Sequence, residues 1–181
     1  MVPEKLLKPY NPQDTENRIY KAWEEAGFFN PDTCVDKGVI DKDAETFTII
    51  LPPPNVTGTL HLGHVLGATL QDIAVRFNRM NGKKTLWIPG TDHAAIATQS
   101  KVEKDIQKTE KKSRHDLGRE EMLKRIDAFA KQSHDTIVSQ LKVTGASLDW
   151  SREAFTLDEK RNFAVRTIFK QIIFFNIWCF K

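Results

Sequence analysis

The chain has 181 residues, of which 40% are hydrophobic and 28% are charged, so it is long enough for one ordinary domain and too apolar for general disorder. Its 27 basic and 24 acidic residues leave a net charge of +3, which is too balanced to indicate a nucleic-acid-binding protein by itself. The two cysteines, Cys34 and Cys179, lie far apart in the sequence, which argues against a disulfide framework and a cysteine zinc site.

The first 45 residues predict a helix and a connecting loop ahead of the main fold. Asp14 is expected to cap this helix and Gly27 to end it. Between them, helical spacing is kept by the apolar residues Ile19, Trp23 and Ala26. Residues 28–45 contain proline, glycine and several charged side chains, a composition typical of a loop. We therefore expect the core of the fold to begin at residue 46.

Residues 46–100 predict a strand, a loop, a helix and a second strand. The β-rich run 46–51 indicates a buried strand, and the prolines that follow it indicate a shaped loop over residues 52–58. An amphipathic helix is expected from residue 62 to about residue 81, with one apolar stripe formed by Val65, Leu66, Ile73 and Phe77. Residues 85–88 form the second strand. The predicted fold class is α/β, with a parallel strand–helix–strand crossover and flanking helices.

The rest of the chain predicts further helices and an unusual end. Helical spacing runs from residue 116 to residue 143, and Gly145 is expected to stop that helix. Thr156 and Glu159 match a capping box for a last helix. We therefore assign residues 101–171 to a helical continuation of the domain. Residues 172–181 are nearly all apolar and form a divergent tail, which would favour aggregation if it were exposed.

The first group of chemically competent residues lies between the first strand and its helix. His61 and His64 stand at positions i and i+3, where the helix N-terminus favours phosphate. Two imidazoles there can donate to triphosphate oxygens, and Gly63 between them leaves room for a base or a ribose. The alternatives are a solvated helix start and a His-x-x-His metal pair. Because no cysteine or carboxylate lies nearby at ligand spacing, we expect no metal site.

The second group directly follows the second strand, in residues 89–99. Parallel strands end at the same edge of a sheet, so Asp92 is expected to face the same crevice as the two histidines. A carboxylate at this place suits the ammonium group of an amino acid, through a charge-assisted hydrogen bond. The alternative is an ordinary turn or helix-cap aspartate.

Together these segments resemble the class I aminoacyl-tRNA synthetases, whose HIGH motif matches His61-Leu62-Gly63-His64. The stretches PPPNVTGTLHLGH, PGTDHAAIATQ and GASLDWSRE are similar to the valyl enzymes of that family rather than to the isoleucyl, leucyl or methionyl enzymes. The resemblance extends from about residue 10 to about residue 170. It implies a partial Rossmann-type parallel sheet with flanking helices, and places the first strand–helix–strand unit of the nucleotide-binding domain at residues 46–100.

The resemblance also implies an activity and a set of site residues. Valine and ATP would give valyl-adenylate and pyrophosphate, and the valyl group would then pass to tRNA(Val). Magnesium would accompany ATP as part of the substrate rather than as a bound cofactor. The catalytic residues would be His61 and His64; ATP would be bound by Gly58, His61, Gly63 and His64; and the amino acid would be bound by Pro53, Asn55 and Asp92.

Two departures from the family pattern stand out. Ala95 occupies a position where the family's GTDHAG pattern has glycine, and if that position needs a positive φ, alanine would distort the loop of Asp92 at a cost of about 1 kcal/mol. The family's second signature, the KMSKS lysine loop, has no convincing match, because Lys111-Lys112-Ser113 lies in a charged run typical of a solvated face. The editing and anticodon-binding domains are not matched either.

Three hypotheses follow from this incomplete match. The chain is a truncated N-terminal segment of a valine–tRNA ligase that does not aminoacylate alone, from a truncated or frame-disrupted gene; or a nucleotide-binding or tRNA-interacting module without ligase activity; or one half of a split enzyme whose second half is supplied in trans. The missing strands would leave an open sheet edge and exposed apolar surface. No apolar run reaches the roughly eighteen residues that a membrane span needs, and the start lacks a signal peptide, so we expect a soluble, cytoplasmic protein without a membrane partner.

Overall fold

The computed structural model describes residues 9–174, which form an α/β fold. The six α-helices of this part are α1 (Pro12–Ala26), α2 (Pro31–Asp36), α3 (Leu62–Met80), α4 (Ala95–Glu110), α5 (Arg114–Val143) and α6 (Glu159–Phe174). Its strands are β1 (Thr46–Ile50), β2 (Lys84–Ile88), β3 (Gly90–Thr91) and β4 (Ala154–Phe155). A short 3₁₀ helix covers Trp150–Arg152.

The sheet is parallel, as the sequence predicts. β1 pairs with β2 from Thr46 opposite Lys84 to Ile50 opposite Ile88, and α3 connects the two strands. Beyond Pro89 the chain of β2 continues as β3, which pairs in parallel with β4. The path β2–β3 therefore has β1 on one side and the segment leading into β4 on the other.

The main core lies where α3 and α5 pack on this sheet. Trp87 of β2 is fully buried there, and its indole Nε1 donates to Gln71 Oε1 of α3 at 3.0 Å. The other buried members of the cluster are Leu51, Val56, Ala68, Val75, Ile137, Leu141, Ala146 and Leu148. A second, smaller cluster joins α4 to α5 through Val102, Ile106 and Met122.

The segment 145–149 is held by polar side chains of α3. Asp72 accepts hydrogen bonds from the backbone N–H of Ser147, at 3.1 Å, and from its hydroxyl. Arg79 donates to the carbonyl oxygen of Ser147 at 2.9 Å, and Arg76 to that of Gly145 at 2.8 Å. Gly145 has a φ of 75°, which ends α5 where the sequence predicts. This part of the GASLDWSRE stretch therefore serves to anchor the chain beside β2.

Helix α1 packs on the same segment through Tyr20. Its hydroxyl donates to the carbonyl oxygen of Ala146 at 2.8 Å and accepts from the Trp150 indole N–H at 2.8 Å. Burial raises the pKa of Tyr20 to about 12. The predicted cap at Asp14 is wrong, because α1 begins at Pro12 and the side chain of Asn11 accepts from the backbone N–H of Gln13. Asparagine followed by proline is the better start signal, since the proline ring suits the first helical position.

The same signal explains a helix that the sequence analysis missed. Residues 28–45 were expected to be a loop, but α2 forms within them, and the Asn30 side chain caps it by accepting from the backbone N–H groups of Asp32 and Thr33. Pro31 occupies its first turn. With six residues, α2 is too short for hydrophobic spacing to reveal it.

The expectation of a fully buried first strand is wrong for this chain. Side chains of β1 alternate between exposed and partly buried, and Ile50 is 67% exposed. The apolar stripe of α3 is also turned to solvent. Leu66, Ile73 and Phe77 of the predicted stripe are exposed, whereas Val65 is half-buried. We call the exposed large apolar residues of this helix the outer stripe, and they are Leu62, Leu66, Leu70, Ile73, Phe77 and Met80. Apolar surface is therefore exposed within residues 9–174, as the sequence analysis expects.

The last described elements differ from their predicted boundaries. α5 begins at Arg114 with a capping box of Ser113 and Asp116, and it is interrupted at Gly118, whose φ is 75°. The predicted capping box of Thr156 and Glu159 is wrong, because Asp158 instead accepts from the backbone N–H of Arg161 at 2.8 Å. Residues 172–174 belong to α6, and the rest of the predicted tail lies outside the described residues. None of the helices between residues 9 and 174 is long and apolar enough to cross a membrane.

Candidate functional site

Two loops meet at the carboxyl ends of β1 and β2. The backbone N–H of Val56 donates to the carbonyl oxygen of Asp92, and the backbone N–H of Asp92 donates to that of Pro54, both at 2.8 Å. These bonds form a parallel bridge between Asn55 and Asp92. Pro54 and Val56 are buried, whereas Pro53 and Asn55 are exposed. The structure thus brings Asn55 beside Asp92, with Pro53 on the same loop.

His61 and His64 form a stacked pair at the start of α3. Their ring centroids are 3.7 Å apart. Nδ1 of His61 accepts from the backbone N–H of Gly63 at 3.1 Å, and Nδ1 of His64 accepts from the backbone N–H of His61 at 3.2 Å. Since each Nδ1 is an acceptor, these hydrogen bonds assign the proton of each neutral ring to Nε2. The pair therefore offers two Nε2–H donors.

The surroundings of the pair favour an anion. Burial, with a smaller contribution from neighbouring His61, lowers the pKa of His64 below its ordinary value, so this ring stays neutral near pH 7. The positive end of the α3 dipole lies at the same place. Neutral N–H donors at a helix N-terminus can bind phosphate oxygens without taking a proton from solution.

The glycines of this loop have different surroundings. A Cβ atom at Gly63 would approach the His61 ring to 3.0 Å, so a larger residue there would push against the ring that caps the helix. Room for a base or a ribose at Gly63 stays a prediction. A Cβ atom at Gly58 would meet nothing within 4 Å, so the space beside Gly58 is open. The loop is tied to α5 just before the histidines, where the backbone N–H of Leu60 donates to Gln140 Oε1 at 2.8 Å.

Asp92 has one oxygen engaged and one available. Oδ1 accepts from the backbone N–H of Ala94 at 3.1 Å and from the hydroxyl of Thr156 at 2.8 Å. Oδ2 makes no hydrogen bond within residues 9–174. The Ala94 N–H lowers the pKa of Asp92, burial opposes this effect, and the Thr156 hydroxyl and His93 support it. Asp92 is therefore an ionised carboxylate that serves as a turn residue through Oδ1 and can bind a cation through Oδ2.

The strain expected at Ala95 lies one residue earlier. Ala94 has the positive φ, 48°, and α4 begins at Ala95. Alanine at position 95 is therefore an ordinary first residue of a helix. The distortion was expected only if position 95 needs a positive φ, and this condition is not met, because the left-handed residue is its neighbour Ala94.

Sequence reasoning missed the contribution of Thr156 to this site. Its hydroxyl contacts Asp92 and also accepts from the backbone N–H of His93 at 2.9 Å. The two residues that it joins are 64 and 63 positions away in the sequence. Local spacing carries no signal of such a contact, and the capping-box pattern assigned the hydroxyl elsewhere.

The run Lys111-Lys112-Ser113 has a structural part in the chain, consistent with the sequence interpretation. Ser113 belongs to the capping box of α5, and Lys111 has a φ of 59° in the turn after α4. Lys112 lies 3.7 Å from Glu110 in an exposed ion pair. These residues form the turn between two helices.

Sequence comparisons identify a family. The chain matches the family model of tRNA synthetases class I (I, L, M and V) over residues 18–175. It is 49% identical over 164 residues to the probable mitochondrial valine–tRNA ligase of Dictyostelium discoideum. It is 51% identical to the valine–tRNA ligase of Treponema denticola and 52% identical to that of Gloeobacter violaceus. Each match covers 91% of this chain but only 15% to 17% of the relative, so the chain spans less than one fifth of the length of these relatives.

A solved structure shares the fold. It is the crystal structure of the agnB2 LeuRS of Agrobacterium radiobacter K84 in a ternary complex with tRNA and LeuAMS. The similarity has a TM-score of 0.58 at 16% sequence identity and covers 83% of this chain and 18% of that one. At this identity the likeness concerns the fold, and it confirms the predicted partial Rossmann-type architecture.

Proposed function

The chain belongs to the class I tRNA synthetases of the I, L, M and V group, and we propose that it forms the ATP- and valine-binding part of a valine–tRNA ligase. The proposed reaction joins valine and ATP into valyl-adenylate and pyrophosphate, and the valyl group then passes to tRNA(Val). The relatives support valine over other amino acids, because each of them is named a valine–tRNA ligase.

The observation that carries this proposal is the pairing of the two loops at the end of the parallel sheet. The bonds of Pro54 and Val56 to Asp92 hold the loop that leads to the histidine pair against the loop that carries the carboxylate. Ligands of open α/β sheets bind at this edge. A triphosphate donor and an amino acid must meet in one crevice for an adenylate to form, and this geometry supports such a meeting.

On the ATP side, the chain supplies donors rather than a base. The Nε2–H groups of His61 and His64 are suited to the phosphate oxygens, where they stabilise the negative charge that develops as pyrophosphate leaves. Gly58 and Gly63 complete the proposed ATP-binding set. Magnesium accompanies ATP as part of the substrate, held mainly by phosphate oxygens and water.

On the amino-acid side, the free Oδ2 of Asp92 is suited to the ammonium group of valine. A charge-assisted hydrogen bond there fixes the amino acid with its carboxylate free to attack the α-phosphate. Asn55 and Pro53 line the same side of the crevice in this proposal. Transfer to tRNA is supported by the family, and a cytoplasmic location remains a prediction from the sequence.

Valine-dependent exchange of labelled pyrophosphate into ATP tests the proposal. When the chain is joined to the remaining part of the ligase, we expect exchange with valine to exceed exchange with threonine and isoleucine, and His64→Ala to abolish it. His115→Ala is the matched control, because His115 is exposed on α5 and outside the site. Exchange that survives His64→Ala would remove the histidine pair from the mechanism. Binding of ATP without any exchange would favour the nucleotide-binding module instead.

A specific observation favours assembly with a further part of the fold. The free edge of β1 and the outer stripe of α3 leave backbone groups and apolar side chains exposed, with Leu62 at 83% and Phe77 at 64%. In our proposal these surfaces are covered by the remaining part of the ligase, in the same polypeptide or in a second chain. Purification of the protein from its own cells tests this, since a partner that carries a KMSKS-type lysine would identify a split enzyme.

A further inference from the structure

We infer that Thr156 is a positioning residue for amino-acid recognition, because its hydroxyl engages Oδ1 of Asp92 and leaves Oδ2 to the substrate ammonium. The inference rests on the proposed function and adds to it a residue far from the family's HIGH motif. It assigns Thr156 no contact with substrate. Its effect is transmitted through the orientation of one carboxylate.

The hydrogen bonds of Thr156 form a closed set. Its hydroxyl has one proton, which is donated to Asp92 Oδ1 at 2.8 Å. Its lone pairs accept from the backbone N–H of His93 at 2.9 Å and from the His93 ring, where a short contact joins Oγ1 to Nδ1. The ring proton of His93 is thereby assigned to Nδ1. Each capacity of the hydroxyl is used, and the direction of its proton toward Asp92 is fixed.

The backbone around Thr156 is also held in register with the loop of Asp92. In the β3–β4 pair, the N–H of Ala154 donates to the carbonyl oxygen of Pro89, and the N–H of Thr156 donates to that of Thr91, both at 3.2 Å. The two strands approach so closely that a Cβ atom at Gly90 would lie 3.0 Å from the carbonyl oxygen of Ala154. Parallel pairing therefore sets the separation between Thr156 and Asp92.

A second anchor fixes the start of β4 from the side of α5. Nε2 of His134 lies 2.6 Å from Oε1 of Glu153, and Nδ1 of His134 lies 2.9 Å from Asp135. Phe155, one residue before Thr156, packs against the main core and meets the His93 ring edge-on at 6.3 Å. The hydroxyl of Thr156 is thus delivered by a segment that is held on both of its sides.

This arrangement has a consequence for selectivity. With two donors on Oδ1, rotation of the Asp92 carboxylate would break two hydrogen bonds, so the carboxylate keeps its orientation and Oδ2 stays available to a ligand. A valine side chain at position 156 would keep the shape but remove the donor. Asp92 could then rotate, and its preference for a ligand that carries an ammonium group would fall. Serine would retain the donor and the preference.

The test uses two probes that differ only in the amino group. The first is a valyl-adenylate analogue with a sulfamoyl linkage, and the second is its des-amino counterpart with a 3-methylbutanoyl group. Isothermal titration gives the ratio of their dissociation constants for the full chain. We expect the wild type and Thr156→Ser to prefer the amino probe and Thr156→Val to lose about tenfold of that preference. Asp92→Asn serves as the reference for a lost ammonium contact.

The possible outcomes separate the inference from the proposed function. A ratio that Thr156→Val leaves unchanged would overturn the inference: with both probes weakened equally the hydroxyl is merely structural, and with neither weakened it has no effect on Asp92. A wild type that does not prefer the amino probe would instead overturn the proposed ammonium contact of Asp92. If Thr156→Val fails to fold, the measurement is repeated with Thr156→Ala. In either variant we also expect the pKa of Asp92 to rise, because a donor to its carboxylate is lost, and NMR titration measures this rise independently.

Discussion

Helix α3 has a covered inner face that mixes polar and apolar residues and an opposite face of exposed apolar residues. The inner face carries Asp72 and Arg79, whose polar groups bind Ser147, together with the fully buried Val75. The opposite face is the outer stripe, in which Leu66 is 58% and Ile73 is 60% exposed. Within residues 9–174, exposure along this helix therefore follows the partners that the chain supplies, and side-chain hydrophobicity alone does not determine it.

The inner face tolerates charge because its hydrogen bonds are made. Arg79 donates to the backbone carbonyl oxygens of Ser147 and Phe29 and lies over the Phe29 ring. Burial lowers the pKa of Arg79, and nearby Asp72 opposes this effect. The outer stripe has apolar side chains and no comparable partner among residues 9–174. The comparison teaches that, within residues 9–174, α3 has partners for its polar inner face and none for its apolar outer stripe.

The largest difference between the two faces is expected on removal of an aromatic ring. Trp87→Ala should lower the free energy of unfolding by about 3–5 kcal/mol, because it opens a cavity in the core against the inner face. That loss approaches the whole stability of a small domain. Phe77→Ala in the outer stripe is the control, with a change below about 0.5 kcal/mol. Urea unfolding followed by circular dichroism measures both, and similar losses would contradict the assignment of the faces.

A smaller difference is expected from two branched aliphatic residues two positions apart on α3. Val75→Ala should lower the free energy of unfolding by about 2 kcal/mol, since two buried methyl groups are lost and a small cavity remains. Ile73→Ala should change it by less than about 0.5 kcal/mol. The same urea experiment compares them. A larger effect for Ile73→Ala would show that the outer stripe is already covered in solution, for example by self-association.

Removal of one hydroxyl beside the inner face should have a weaker effect. Tyr20→Phe leaves the Ala146 carbonyl and the Trp150 indole N–H without their shared partner, and we expect a loss of about 1–2 kcal/mol. Tyr10→Phe is the matched control, because the Tyr10 hydroxyl only bonds the exposed Glu16. Thermal unfolding monitored by tryptophan fluorescence compares the two variants, and we expect the larger fall in unfolding temperature for Tyr20→Phe. Equal falls for the two variants would count against the docking of α1.

The smallest expected effect is a pH dependence of stability that comes from His134 on α5. Burial lowers the pKa of His134, but its hydrogen bonds to Asp135 and Glu153 outweigh this and raise the pKa above the ordinary value of 6.5. A group with a raised pKa in the folded state stabilises fully below its unfolded pKa and loses this contribution as pH rises. The stability difference between wild type and His134→Gln should therefore shrink above pH 6.5. His115→Gln is the control, and a difference that grows with pH would contradict the assignment.

The sequence predicts where the longer helices and strands of this chain lie better than it predicts which of their faces are buried. Hydrophobic spacing locates α3 and α5, and β-rich runs locate β1 and β2. The same spacing identifies α3 as an amphipathic helix, but it cannot say whether the apolar stripe faces the sheet or the solvent. Only the structure shows that most of this stripe is exposed. Small helices such as α2 depend on one cap and one proline rather than on a periodic pattern.

The candidate site divides in a similar way. His61, His64 and Asp92 could be proposed from the sequence because the two histidines lie at the helix start after the loop that follows β1, and Asp92 directly follows the β2–β3 stretch, where chain order determines position. Thr156 could not be proposed, since its local pattern is that of a helix cap and its actual partners come from a parallel pairing far away in sequence. Ala94 and Ala95 show the same limit at one residue, because the sequence alone does not reveal which of two alanines is left-handed.

The stacked histidines also bear on how much variation this helix start can accept. In each ring, Nδ1 holds a backbone N–H while Nε2 faces outward as a donor. An asparagine or serine could accept the backbone N–H but would be too short to donate outward as well. A lysine could donate outward but could not accept the backbone N–H. Gly63 is favoured by the same arrangement, since a Cβ atom there would lie only 3.0 Å from the His61 ring. Both nitrogens of each ring have a task in this four-residue stretch, and the glycine leaves space for one ring. Few substitutes satisfy all of these demands, which gives a physical reason for such a short signature to stay recognisable through long divergence.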